Sequence, residues 1–190
     1  MKISIYIKSI ITICTIFLFS IEHQAQGFKM LDNAPHDISY YRENQVTPPL
    51  VKVIYGRPKS NGNEIFGTKI PFGVLWRTGA NEATEIKIYD DVVFGNRNVE
   101  AGTYTLVTIP GEKEWEIILS SNLDVWGAFQ YDPKADVARI MVPVSKAENL
   151  DVFSIAFKKV KNEVIMVLGW GSTRVKIPME FERLNYYAKL

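Results

Sequence analysis

Hydrophobic and polar residues alternate with a period of two along most of the chain, which is the pattern of half-buried β-strands. In the segment 85–89, Ile86 and Ile88 fall on one face while Glu85 and Lys87 fall on the other. Helical periodicity with capping residues is hard to find, so an all-β chain is predicted. The predicted strands are residues 51–55, 85–89, 103–109, 115–119, 137–144, 153–157, 164–168 and 173–177.

The number and spacing of these strands favour two packed sheets over a parallel α/β sheet. The connection at 110–114 has the length of a hairpin loop, and Pro143 is expected to end the strand at 137–144. Residues 125–129 are less regular and fit either a strand or one helical turn. We therefore predict a single-domain antiparallel β-sandwich, jelly-roll-like, with a closed β-barrel as the alternative.

The first 25 residues differ in composition from the rest of the chain. Lys2 and Lys8 precede an apolar run at 10–19, and Ala25 stands where a signal peptidase would cut. Because a bilayer-spanning helix needs roughly 18 to 20 apolar residues, a cleaved secretory signal is favoured over a membrane anchor. The expected organisation is a signal peptide at 1–25, a polar segment at 26–49, a β-sandwich domain at 50–181 and a tail at 182–190. The mature protein would be periplasmic or extracellular, with no transmembrane span.

Cleavage would remove Cys14, the single cysteine, and leave His36 as the one histidine of the mature domain. Thiolate catalysis, a Cys/His zinc site and a disulfide framework are then excluded. A Ser-His-Asp triad would need His36, which is predicted to be a solvated loop residue. Without Lys2, Lys8 and Glu22 the domain has 20 basic and 20 acidic residues, so no nucleic acid partner is expected. Neither a cofactor nor a metal is predicted.

The densest group of polar side chains lies at 76–84, around a Gly-Ala break. Arg77 offers a planar fork for a carboxylate or phosphate, Asn81 donates and accepts hydrogen bonds, and Glu82 accepts hydrogen bonds or a proton. One interpretation is a polar recognition site beside Trp76, which Arg57 would also reach. The favoured one is that Arg77 and Glu82 pair across a turn while Asn81 adopts a left-handed conformation and caps backbone groups. The ligand-binding candidates are Arg57, Trp76, Arg77, Thr78, Asn81, Glu82, Trp126 and Asp132.

The four tryptophans permit a carbohydrate-binding interpretation, because a sugar ring stacks on an exposed indole. Trp115 and Trp170 lie in apolar alternation and are predicted to be buried. Trp76 and Trp126, each near a glycine, are the two that could be exposed. Packing in the core is the alternative for all four.

An enzyme built on this chain would rely on carboxylates. Glu82 with Glu85 or Asp132 is a possible glycosidase-like pair, which only their separation could support. Asp90 with Asp91, or the acidic segment at 132–136, would offer oxygen ligands for calcium. Neither has the regular spacing of a calcium loop, and acidic surface turns are the favoured interpretation.

Several short motifs occur in a fixed order between Val51 and Pro178: Tyr55-Gly56-Arg57-Pro58, Ile65-Phe66-Gly67, Ile70-Pro71-Phe72-Gly73, residues 76–84, Ala101-Gly102-Thr103-Tyr104, Ile109-Pro110, Trp115, Trp126-Gly127 and Tyr131-Asp132. Their order resembles the bacterial domain of unknown function 2911, and residues 76–84 are the most specific part. The resemblance implies an exported β-rich envelope domain without an established activity. Asn63 replaces a common basic residue of that family, Phe72 a common tyrosine and Glu100 a common proline. The first two departures argue against an essential charge at 63 or hydroxyl at 72.

The sequence therefore predicts an exported envelope protein with a binding or structural role, for a glycan or another small polar ligand. The alternative is a carboxylate-dependent hydrolase that acts on an envelope glycan.

Overall fold

Nine β-strands and one short 3₁₀ turn make up the regular structure of the residues described by the computed structural model, which are 27, 30–182 and 184. The predicted signal peptide at 1–25 lies outside these residues. The chain divides into two units, 1–31 and 32–190, and every strand lies in the second. The strands are β1 His36–Tyr41, β2 Val51–Gly56, β3 Thr84–Ile88, β4 Val92–Phe94, β5 Arg97–Val99, β6 Gly102–Ile109, β7 Glu114–Ser120, β8 Asp136–Val160 and β9 Glu163–Phe181, with the 3₁₀ turn at Pro133–Ala135.

The strands form one antiparallel sheet in the order β1-β2-β3-β6-β7-β8-β9-β4-β5. β8 is the strand at which this sheet folds over, since residues 136–143 pair with β7 and residues 144–160 pair with β9. The two halves of the sheet then face each other as the layers of a sandwich, which confirms the predicted all-β fold. β1 and β5 are the open edges of the sheet, so the alternative of a closed barrel is wrong.

Pro143 does not end a strand, contrary to the prediction. It pairs with Glu114, the first residue of β7, and Val144 N donates to Lys113 O at 2.8 Å. The missing N–H of Pro143 therefore falls where the ladder with β7 stops and the ladder with β9 begins, at the pair Val144↔Val175. For this reason the predicted strands at 137–144 and 153–157 are one strand, β8, and those at 164–168 and 173–177 are both parts of β9.

The core lies between the two layers and is rich in aromatic rings. Trp115 of β7 and Trp170 of β9 are each only 2% exposed, as predicted. Their neighbours in a cluster of five rings are Phe66, Trp76 and Phe153, and the ring centroids are 4.6 to 6.1 Å apart. Most of these pairs meet edge to face, the geometry that aromatic quadrupoles favour. The cluster ties the loop residues 66 and 76 to both layers.

β1 lies in the segment at 26–49 that the sequence indicates only as polar. It pairs with β2 from His36↔Gly56 to Tyr41↔Val51. Ile38 and Tyr40 of this edge strand are exposed, and Tyr41 is its one hydrophobic residue packed against the core, so its alternation does not predict a buried face. His36 is therefore an exposed strand residue and not a loop residue.

Candidate functional site

Residues 76–84 form a turn that is closed by its own polar groups. Trp76 exchanges two backbone hydrogen bonds with Thr108 of β6, at 2.7 and 2.9 Å. At the other end of the turn, Thr84 N donates to Arg77 O at 3.2 Å and Thr84 Oγ1 donates to Thr78 O at 2.8 Å. These bonds fix the turn between β6 and the start of β3.

The turn packs directly against the end of β2. A Cβ atom on Gly56 would lie 2.1 Å from Ala80 O, and 2.9 Å from Ala80 C. Only glycine permits this approach of two backbones. Gly79 is also confined, because its Cβ would lie 3.1 Å from Gly56 O and from Thr84 Oγ1. The Gly79-Ala80 pair noted in the sequence therefore allows the turn to pack closely against β2.

Trp76 is 5% exposed and belongs to the aromatic core, so it is not one of the exposed tryptophans. Its indole Nε1 donates to Gly79 O at 3.1 Å, inside the turn that it begins. A buried indole needs such an acceptor, and the neighbouring glycine supplies one. Trp76 is thus a core residue and offers no surface for a ligand.

Thr78 and Asn81 both have positive φ, 58° and 63°. Thr78 Oγ1 is buried and lies 3.1 Å from Thr108 Oγ1. Asn81 Nδ2 donates to Ala34 O at 3.3 Å, so the predicted left-handed, capping role of Asn81 is confirmed. Hydrogen bonds from Ala34 N and from the Asn81 side chain lower the pKa of Asp32. Both turn residues are therefore committed to holding the backbone.

Arg77 does not pair with Glu82. Among the residues that the structure describes, its side chain forms no ion pair, and its Nε is buried without a hydrogen-bond partner. Its Cδ lies 3.7 Å from the place where a Cβ on Gly127 would be, so the loop between β7 and β8 packs on it. This burial lowers the pKa of Arg77. The predicted ion pair across the turn is therefore wrong.

Arg57 is committed to another part of the fold. Its guanidinium forms a 2.8 Å ion pair with Asp37 of β1, donates to Phe153 O at 3.2 Å and donates to Ser154 Oγ at 2.8 Å. These contacts join the edge strand β1 to β8. None of the side-chain hydrogen bonds that Arg57 forms in the described part of the chain is to residues 76–84, where a shared site was predicted.

Glu82 and Trp126 do come together. Both line a groove of about 310 Å³ on the outer face of the sheet. Its floor is built by neighbours across β2, β3 and β6, namely Ile54, Glu85 and Thr105. We call it the outer groove; its lining residues are His36, Ile54, Glu82, Ala83, Glu85, Thr105, Asp124, Val125 and Trp126.

One wall of the outer groove is the β7–β8 loop, residues 121–135. This loop is tied to the sheet, because Thr105 Oγ1 donates to Asn122 O at 2.6 Å and Ala83 N donates to Val125 O at 3.2 Å. Trp126 is 57% exposed on this wall, in agreement with the sequence analysis. Residues 125–129 themselves form neither a strand nor a helix.

Asp132 caps the 3₁₀ turn by accepting from Lys134 N at 3.0 Å, and it does not line the groove. The far end of the loop is anchored by Tyr131, whose hydroxyl donates to Asp136 Oδ2 at 2.7 Å and accepts from Arg139. Arg139 also forms a 2.8 Å ion pair with Glu116. Burial and the bond to Asp136 raise the pKa of Tyr131 to about 12.

A larger cavity, of about 670 Å³, lies at one end of the sandwich and was not predicted from the sequence. We call it the end cavity. Four separate parts of the chain line it: residues 63–68 with Phe72; the β6–β7 turn at 111–113 with Trp115; Val144, Lys146 and Asn149 of β8; and residues 170–173 of β9. Over a hundred residues separate the first of these from the last, so no local motif marks the site.

Acidic residues of the segments considered for calcium accept hydrogen bonds from the protein itself. Asp91 accepts from Ala101 N at 2.7 Å, and Asp136 accepts from Tyr131 and Arg139. Within the part of the chain that the structure describes, no group of three or more His, Cys, Asp or Glu residues could hold a metal ion. In that same part, no helix has the length and apolar character needed to cross a membrane.

Comparison with known proteins gives a family and nothing beyond it. No curated protein and no solved structure matches the chain. A family model with the description "Protein of unknown function (DUF2911)" matches residues 39–179, which include β2 to β8, most of β9, the lining of the end cavity and the lining of the outer groove except His36. The resemblance inferred from the short motifs is thereby confirmed, and the chain belongs to the DUF2911 family.

Proposed function

We propose that this chain is a binding module, and that the outer groove takes a glycan or another small polar ligand. The observation that carries the proposal is the meeting of Glu82 with Trp126, which is 57% exposed, in one groove. An exposed indole offers a flat surface to the C–H face of a sugar. Carboxylates beside it accept hydrogen bonds from hydroxyl or amine groups.

The charges of the outer groove indicate which class of glycan it would bind. Three acidic residues, Glu82, Glu85 and Asp124, line the groove. His36 is the one lining residue that can carry a positive charge. An acidic site attracts cations, and an indole face binds ammonium groups by cation–π attraction. A glycan that carries free amines therefore suits the groove better than a neutral or acidic one.

A pair of oligosaccharides that differ only in acetylation tests this proposal. We expect a glucosamine oligosaccharide to quench the fluorescence of Trp126, and the N-acetylglucosamine oligosaccharide of equal length to bind the outer groove at least about tenfold more weakly. Binding of the amine form should weaken as salt is raised, because the attraction is electrostatic.

Two variants of the same loop provide the control. Trp126→Ala should lower the affinity at least about tenfold, while Phe129→Ala should leave it unchanged. Phe129 is 89% exposed, lies three residues further on and does not line the groove. If the Trp126 indole responds to neither oligosaccharide, or if both variants bind as the native chain does, the proposal fails.

A hydrolase is the second candidate, because Glu82 and Glu85 line the same groove. Two carboxylates flanking a glycosidic bond can serve as general acid and as base or nucleophile. Glu82→Gln would then abolish turnover of a bound oligosaccharide and retain its binding. Turnover that survives replacement of Glu82, Glu85 and Asp124 together would eliminate this candidate.

Export to the periplasm or the extracellular space is also part of the proposal. The composition of residues 1–25 supports it, with two lysines before an apolar run. N-terminal sequencing of the protein recovered outside the cytoplasm should begin near Gln26. A chain recovered with Met1 in place would argue for retention.

A further inference from the structure

The end cavity is separate from the outer groove, and the two share no lining residue. Its volume of about 670 Å³ lies within the range of small-molecule sites, about 300 to 1,000 Å³. It opens where turns from both layers of the sandwich meet. The cavity therefore needs its own explanation.

Aromatic residues line the inner part of the end cavity. Phe66, Trp115 and Trp170 are buried members of the five-ring cluster, and all three contribute to the lining. Phe72 is exposed and lies over Gly67, where a Cβ would meet its ring at 2.8 Å. Rings on the floor and at the mouth give a ligand apolar faces to contact.

One polar atom of this floor is unsatisfied. Trp76 Nε1 donates to Gly79 O at 3.1 Å and Trp170 Nε1 donates to Asp151 O at 3.0 Å. The third buried indole, that of Trp115, has an Nε1 with no hydrogen-bond partner. A buried donor without an acceptor costs about 1 to 3 kcal/mol, and this one lies just beneath the floor, where its environment is sensitive to a ligand in the cavity.

The rim of the end cavity carries balanced charges. Glu64 and Glu112 contribute two negative charges, and Lys113 and Lys146 contribute two positive ones. The lining residues therefore carry no net charge, and Lys69, whose Nζ lies 5.9 Å from the centroid of the Trp170 ring, is not among them. Amides and hydroxyls complete the lining, and they both donate and accept hydrogen bonds; they are those of Asn63, Thr68, Asn149, Ser172 and Thr173.

From these features we propose that the end cavity is a second binding site, and that its ligand is an uncharged mono- or disaccharide. The rings contact the C–H faces of the sugar and the rim groups bond its hydroxyls, while the indole N–H of Trp115 reports on a ligand above the floor. The absence of net charge distinguishes this ligand from the amine-bearing one proposed for the outer groove. The two proposals rest on different residues and can fail independently.

The indole resonances of ¹⁵N-labelled protein give the test. The probes are maltose, cellobiose and N,N′-diacetylchitobiose, and Trp115→Phe assigns the Trp115 signal. We expect at least one disaccharide to shift the Trp115 indole N–H saturably below about 50 mM. If none of the three moves this signal, the proposal is overturned.

Two matched substitutions locate the binding. Ser172→Trp places a bulky side chain at the exposed rim and should weaken the disaccharide at least about tenfold. Ser145→Trp places the same side chain at an exposed position outside the cavity and should change little. Trp126→Ala, in the outer groove, should also leave this binding intact. Unweakened binding in Ser172→Trp, or equal losses in all three variants, would overturn the assignment.

Discussion

Gly56→Ala tests the contact on which the turn at 76–84 depends. The new Cβ would lie 2.1 Å from Ala80 O, whereas ordinary contact begins at 3.4 Å, so the two backbones must part by about 1.3 Å. No flexible side chain can relieve this overlap, because all three of the nearest atoms belong to the backbone of Ala80. The same movement disturbs Gly79, whose carbonyl accepts the indole proton of Trp76.

Overpacking of a close-packed site typically lowers the free energy of unfolding by about 1 to 3 kcal/mol. Because the obstacle here is rigid backbone, we expect Gly56→Ala to lose about 3 kcal/mol. With a urea m value of about 2 kcal/mol per molar, the unfolding midpoint should fall by about 1.5 M. Urea titration followed by far-UV circular dichroism measures this change. The Trp76 indole resonance provides a local readout, since its acceptor is displaced.

Gly169→Ala is the matched control. Gly169 also lies in a strand, but the atoms nearest its Cβ belong to the side chains of Arg174 and Leu150, at 3.0 to 3.3 Å, and these can yield. Its midpoint should therefore stay within about 0.3 M of the native value. If Gly56→Ala unfolds at the native midpoint, or if both variants lose the same stability, the argument from backbone contact is refuted.

Two further predictions concern the turn and the loop. The free energy of unfolding of Asn81→Ala should be about 1 kcal/mol lower than that of Asn81→Gly. Both variants lose the hydrogen bond to Ala34 O, but only alanine is strained at a φ of 63°. Equal urea midpoints for the two variants would contradict this. Tyr131→Phe should be less stable than the native chain below pH 10, and the difference should vanish as the pH approaches 12. The reason is that the Tyr131 pKa is raised from 10 to about 12 in the folded state, so the hydroxyl stabilises the fold fully below pH 10 and not above pH 12. A difference in midpoint that stays constant between about pH 8 and about pH 11.5 would exclude this linkage.

The sequence predicts most strands of the sandwich, because alternation of hydrophobic and polar residues indicates a strand with one buried face. Ile86 and Ile88 are buried and Lys87 is exposed, as their alternation requires. The same criterion misses β1, where Ile38 and Tyr40 face outward. It also divides β8 at Pro143, because a single sequence does not reveal that a strand changes its partner at that residue.

The candidate site could be predicted only in part. The cap formed by Asn81 and the exposure of Trp126 follow from local chemistry, and both are confirmed. The burial of Trp76 depends on rings at positions 66, 115, 153 and 170, which are remote in sequence. For the same reason the end cavity was not predicted, since it exists only where four distant segments meet.

β8 has a consequence for the order in which the chain folds. A two-residue loop at 161–162 joins β8 to β9, so the longest ladder among the described strands is closed by a tight hairpin turn. Contacts between neighbouring segments close with little loss of chain entropy and form early. The β8–β9 hairpin is thus suited to nucleate one layer of the sandwich. Residues 136–143 of β8 then offer a free edge with which β7 can pair, and this pairing begins the second layer. A single strand would then link the growth of the two layers, and neither could be completed without it.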